Sequence, residues 1–84
     1  MDLAHYLGPA VRQHRALLRL SQEQLAERAG LDRTYVSGVE RGRRNPTLDV
    51  LQRLANALGS DLDVLFATAR QLAMQNPLET TDAL

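Results

Sequence analysis

The residues most able to do chemistry lie between positions 33 and 45. Arg33, Thr34, Ser37, Gly38 and Arg41 recur at i, i+1, i+4, i+5 and i+8, the spacing of one helix face. Arg43, Arg44 and Asn45 follow at once. Arginine offers a planar fork of donors that pairs bidentately with phosphate oxygens or with O6 and N7 of guanine. A threonine methyl can meet the thymine methyl, and hydroxyls serve phosphate. Gly38 leaves room on this face for a base edge or a backbone. Such a set suits contact with a nucleic-acid groove. An ordinary solvated face would carry the same residue types, so the elements that hold them must decide.

Those elements read as two short helices joined by a tight turn. Ser21 with Gln24 three residues on is a capping-box pattern, which starts a helix at Gln22. Leu25, Ala26 and Ala29 form its inner face, and Gly30 ends it with the left-handed conformation available to glycine. Asp32 caps the next helix, Arg33 to Arg41, which Gly42 closes. Ala26 is small where two helices must approach, Gly30 lies at the turn, and Val36 and Val39 are branched and apolar on the packing side. Together these positions specify a helix-turn-helix over 22–41. Arg33 and Thr34 then stand at the leading end of its second helix, the part that meets base edges in this motif.

Around that core the sequence predicts three further helices. Gly8-Pro9 precedes Val11, Leu17 and Leu18, consistent with a first helix carrying Pro9 in an early turn; residues 3–7 either add a turn before it, kinked at Pro9, or do not. Thr47 caps a fourth helix with Leu48, Leu51, Leu54, Ala55 and Leu58 on one stripe, stopped by Gly59. Asp61 caps a fifth from Leu62, continued by Leu65, Phe66, Ala69, Leu72 and Ala73 and ended by Asn76-Pro77. No stretch alternates long enough for a strand. The expectation is an all-α, compact five-helix bundle: one domain over 1–75 with a flexible tail over 76–84.

Composition sets limits. A chain of 84 residues buries only about 60–65% of its unfolded surface, so stability should be modest. There is no cysteine, hence no disulfide and no thiolate metal site. The acidic start soon broken by Gly8-Pro9 does not read as a signal peptide, and no apolar run approaches the ~18 residues of a membrane span, so the expected place is the cytoplasm, with no membrane partner. Net charge is zero, which at face value argues against nucleic acid, but the distribution is uneven. Residues 12–44 carry eight arginines against four carboxylates, and residues 45–84 carry two against five. Every basic residue is arginine and none lysine; biased genomic base composition explains that as well as phosphate binding does.

At this point the chain resembles the phage repressor/Cro-type (XRE-like) helix-turn-helix regulators. The matching stretches are Ser21-Gln22-Glu23-Gln24-Leu25-Ala26, Leu31-Asp32-Arg33-Thr34-Tyr35-Val36-Ser37-Gly38-Val39-Glu40-Arg41-Gly42, and Arg44-Asn45-Pro46-Thr47-Leu48. Within that family the run Leu31 to Tyr35 with Ser37-Gly38 is similar to restriction–modification controller proteins, which are short stand-alone dimers. The resemblance implies a lambda-repressor-like DNA-binding domain acting as a homodimer on a palindromic operator in double-stranded DNA. It implies base reading by Arg33 and Thr34, with Gly38 at the same surface and Arg44 reaching a base. It implies phosphate contacts from Gln22, Tyr35, Ser37, Arg43 and Asn45, to which the outward face adds Arg41. It also implies an ion pair between Arg15 and Glu40 that locks the third helix to the first. After Phe66 the tail matches nothing in the family.

The fifth helix is the expected dimer surface, through Leu62, Val64, Leu65 and Phe66, because it holds more apolar residues than one side can bury. RNA polymerase is a candidate further partner. No cofactor or metal is expected: His5 and His14 lack companions for a ligand set and read as surface histidines, and no serine has a matching His and carboxylate. Nothing points to an enzyme. The competing readings are an antitoxin that also binds its own promoter, which would need a toxin-binding surface beyond the core, and an interaction module of the same fold that has lost DNA binding.

Overall fold

A computed structural model describes residues 3–75. Five helices follow in order: α1 (Ala4–Leu17), α2 (Gln22–Ala29), α3 (Arg33–Glu40), α4 (Leu48–Ala57) and α5 (Leu62–Gln75). There is no strand among the described residues. The all-α five-helix expectation holds, and local chemistry explains most of the boundaries. Ser21 Oγ accepts from the Gln24 amide at 3.0 Å while Gln24 Oε1 accepts from the Ser21 amide at 2.8 Å, completing the capping box of α2. Gly30 ends α2 at φ +69°, where a side chain would be strained. Asp32 and Thr47 cap α3 and α4 through bonds of 3.1 and 3.2 Å to the Thr34 and Val50 amides. Arg41, expected inside the third helix, is its C-cap.

α1 resolves the question left open at Pro9. It starts at Ala4 and runs through the proline without a break. Pro9 is exposed, so solvent can reach the His5 carbonyl that lacks its usual amide donor. Gly8 has a different role from the helix punctuation its pairing with proline suggests. It is buried, and a Cβ there would overlap the Val39 carbonyl oxygen and lie 2.9 Å from that of Glu40. α1 therefore crosses the end of α3 at backbone contact, which only glycine permits.

The main core joins all five helices and the turns between them. Leu25, Val36, Leu54 and Leu65 are wholly buried, with Val11, Leu20 and Val39 packed around them. Tyr6 and Ala10 of α1 form a second cluster with Ala69 and Ala73 of α5. Leu65 thus corrects one sequence expectation. It is 0% exposed inside the core and presents no side chain to a partner, because α5 must plug the bundle before it can cover anything else. Of the other three residues assigned to a dimer surface, Leu62 and Phe66 are half-buried and Val64 is exposed. His14 also departs from its surface reading. It is half-buried, with Nε2 2.8 Å from Thr68 Oγ1; that hydroxyl donates to the Val64 carbonyl, so it accepts from the imidazole and ties α1 to α5. The expected end of α5 at Asn76-Pro77 and the flexible tail over 76–84 lie outside the described residues. No helix among the described residues is long and apolar enough to cross a membrane.

Candidate nucleic-acid interface

α2 and α3 meet through Leu25, Ala26, Ala29, Val36 and Val39, all buried. Val36, Val39 and Glu40 form the inward side of α3. Its other side carries Arg33 and Thr34, both exposed, then Ser37 and Gly38, both half-buried, with exposed Arg41 beyond the last turn. Arg43, Arg44 and Asn45 continue this surface and are exposed. Gln22 and Tyr35 are half-buried. The turn after α3 is held by the Gly38 carbonyl, which accepts from the Arg43 amide at 2.8 Å and the Arg44 amide at 3.1 Å. That bond pair, with Gly42 at φ +75°, turns the basic loop back alongside α3.

Gly38 is filled from within the chain. The Arg44 stem lies over it, with Cγ 2.5 Å from where a Gly38 Cβ would stand. The Arg44 guanidinium carbon then sits 5.8 Å from the Tyr35 ring centroid, a cation–π arrangement. The room that the sequence offers to a base edge at Gly38 is thus taken by Arg44 in this structure. A base could use it only after that side chain turns outward.

Glu40 organises the junction of α1, α2 and α3. Its side chain is only 3% exposed. Arg15 meets it bidentately, Nε to Oε2 at 2.7 Å and Nη2 to Oε1 at 2.9 Å. Arg15 Nη1 also donates to the Leu20 carbonyl at 2.8 Å. The hydrogen bond and charge of Glu40 raise the Arg15 pKa above its ordinary value, against a smaller lowering by burial. A raised pKa on a basic group adds stability that is complete below the unfolded value and lost only above the folded one. The guanidinium therefore stays charged at every pH the fold meets. Gln22 Nε2 donates to Glu40 Oε1 at 3.1 Å. The side chain assigned to phosphate is anchored to the ion pair, and its position follows that of Glu40.

One positioning residue was not legible in the sequence. Arg53 of α4 donates through Nε to the Ala29 carbonyl at 3.1 Å and through Nη2 to the Gly30 carbonyl at 2.8 Å. It satisfies the free carbonyls at the end of α2 and pins the turn before α3. Nothing in its local sequence marks it, because its partners lie more than twenty residues away.

Comparison with known proteins places this geometry. The family model described as "Helix-turn-helix" matches residues 11–65. The control protein C.SmaI of Serratia marcescens is 49% identical over 65 residues, which is 77% of each chain. An HTH-type transcriptional regulator of Mycobacterium tuberculosis is 39% identical over 77 residues; the match takes in 92% of this chain but only 55% of that protein. The crystal structure of the restriction–modification controller protein C.AhdI from Aeromonas hydrophila superposes with a TM-score of 0.72 at 47% identity, covering 76% of this chain and 96% of that one. With that model over most of the chain and these relatives at 47–49% identity, the chain belongs to the XRE-type helix-turn-helix family, alongside the restriction–modification controller proteins.

Proposed function

We propose that this protein is a transcriptional regulator that binds a palindromic DNA operator as a homodimer, in the manner of a restriction–modification controller. One observation carries the reading: Arg33 and Thr34 project unobstructed from the leading end of α3, with Arg41, Arg43 and Arg44 exposed behind them. In this role Arg33 and Thr34 read base edges, and Arg44 reaches a base once it leaves Gly38. Gln22, Tyr35, Ser37, Arg41, Arg43 and Asn45 hold phosphates. The protein works by occupancy rather than by catalysis, in the cytoplasm where its DNA lies: bound at a promoter it excludes RNA polymerase, or touches it from just upstream.

One helix-turn-helix contacts too few bases to be selective, which favours two copies on half-sites about 10–11 base pairs apart or a multiple of that. The domain over 1–75 would pair through α5. Val64 and Met74 are exposed there, and Leu17 is 73% exposed at the end of α1, apolar side chains that would suit a subunit interface. Val64→Asp places a charge in that surface without touching the core. It should turn a dimer into a monomer in sedimentation equilibrium; an unchanged mass would remove α5 from the interface.

Selection of bound sequences from a random duplex pool tests the central reading, and a palindrome is the expected result. Arg33→Ala should then weaken binding to that operator by about 1–3 kcal/mol and relax preference at one base pair per half-site. Equal loss on the operator and on random DNA would remove Arg33 from base reading.

A further inference from the structure

α1 lies outside the elements assigned to DNA, yet it contains no carboxylate and holds His5, Arg12, His14 and Arg15. Two of these are committed within the fold, Arg15 to Glu40 and His14 to Thr68. The other two, His5 and Arg12, are exposed, and among the described residues Arg12 has no ion-pair partner. Seven residues apart on a helix, they stand on one stripe, roughly 10 Å from each other. Each opens into a hollow shared with the candidate interface. Arg12 lines one of about 190 Å³ with Arg15, Gln22, Glu40 and Arg41, where three guanidinium groups face a single carboxylate. His5 lines another of about 440 Å³ with Gly8, Val39, Arg43, Arg44 and Asn45, where no carboxylate is present.

We infer that the exposed edge of α1 is part of the DNA contact, with Arg12 and His5 each holding a backbone phosphate beside Gln22 and Arg41 and beside Arg43 and Asn45. The uncompensated positive charge calls for an oxyanion. Continuity with the loop and with the start of α2 selects the phosphodiester backbone over a small dissolved anion. The inference rests on the DNA-binding reading above and widens its footprint onto a helix that the motif does not assign to DNA. The groups around His5 are Arg43 and Arg44 from the loop, Val39 from α3 and the neighbouring Tyr6 ring edge-on at 5.0 Å.

The test is the salt dependence of binding to the selected operator. Each phosphate contact by a cation contributes about 0.9 to the slope of log affinity against log salt. Arg12→Gln should lower the slope by about 0.9 per bound protomer, so its deficit shrinks about 3.5-fold per protomer when salt rises fourfold. His5→Ala should weaken operator binding. Arg12→Lys should restore the slope, and sequence preference should stay as in the parent in all three. Both side chains are exposed, so the melting temperature checks that folding is intact. Unchanged slopes with intact operator binding and a normal Arg33→Ala effect would overturn this inference alone. No binding by the parent protein would overturn both it and the reading beneath it. Stabilisation by inorganic phosphate over chloride at matched ionic strength, lost in Arg12→Gln while the DNA slope stays put, would assign the hollow to a dissolved anion and also overturn it.

Discussion

Glu40→Ala should lower folding stability by about 3 kcal/mol, a fall in melting temperature on the order of 15 °C for a domain of this size. The carboxylate is almost wholly enclosed and accepts three hydrogen bonds, two from Arg15 and one from Gln22. Its removal strands a guanidinium that cannot lose its charge and whose side chain is only 16% exposed. That residual exposure, with the bond to the Leu20 carbonyl, keeps the loss at the lower end of the range for a broken buried pair. Thermal unfolding followed by circular dichroism measures it. Replacing both partners, as Arg15→Met with Glu40→Leu, should cost less than Glu40→Ala alone, since no charge is then left without a partner. A single-variant loss under 1 kcal/mol would show that the pair is solvated and does not hold α3 to α1. Because Gln22 is bonded to the same carboxylate, Glu40→Ala should also weaken operator binding at temperatures where the variant is folded.

The second large effect is expected at Gly8, and its sign separates two arguments. Helix propensity alone makes Gly8→Ala stabilising by nearly 1 kcal/mol, since Gly8 sits inside α1. Close packing makes it destabilising. The new methyl would overlap the Val39 carbonyl oxygen and crowd that of Glu40, both of them backbone atoms that cannot rotate away. Overpacking of this kind costs about 1–3 kcal/mol. Overlap with two backbone oxygens puts the cost at the upper end of that range, so after the propensity gain the net expectation is a loss of about 2 kcal/mol, read from urea unfolding. Gly38→Ala is the matched control. There the added methyl meets the Arg44 side chain, which can adopt another rotamer, so stability should stay within about 1 kcal/mol of the parent. A stabilising Gly8→Ala would mean that α1 and α3 stand farther apart than described.

Several features were readable in the sequence because they are short-range. The capping box of Ser21 and Gln24, the caps at Asp32 and Thr47 and the left-handed Gly30 all act within four residues, so type and spacing suffice to place them. The division of α3 into a buried side with Val36 and Val39 and an open side with Arg33 and Thr34 followed from helical period for the same reason. The candidate site was therefore legible in outline. Its internal wiring was not. Gln22 reads as a phosphate contact at the start of α2, yet it is bonded to Glu40 eighteen positions away. Gly38 reads as open space, yet the Arg44 stem lies over it. Leu65 reads as one of four apolar residues on a surface helix, yet it fills the core.

By itself, then, the sequence determined the number and order of the helices, the N-caps of α2, α3 and α4 and the face of α3 that stays open, all consequences of interactions within one or two turns. The tertiary structure alone decided which side of α5 is spent on the core, why Gly8 must be glycine, that Arg53 holds the turn before α3, and that α1 brings His5 and Arg12 to the edge of the basic surface. Those facts depend on how closely helices cross and on what each crossing brings within 3 Å. Periodicity along one chain segment assigns a residue to a side of its own helix but leaves open what meets it there.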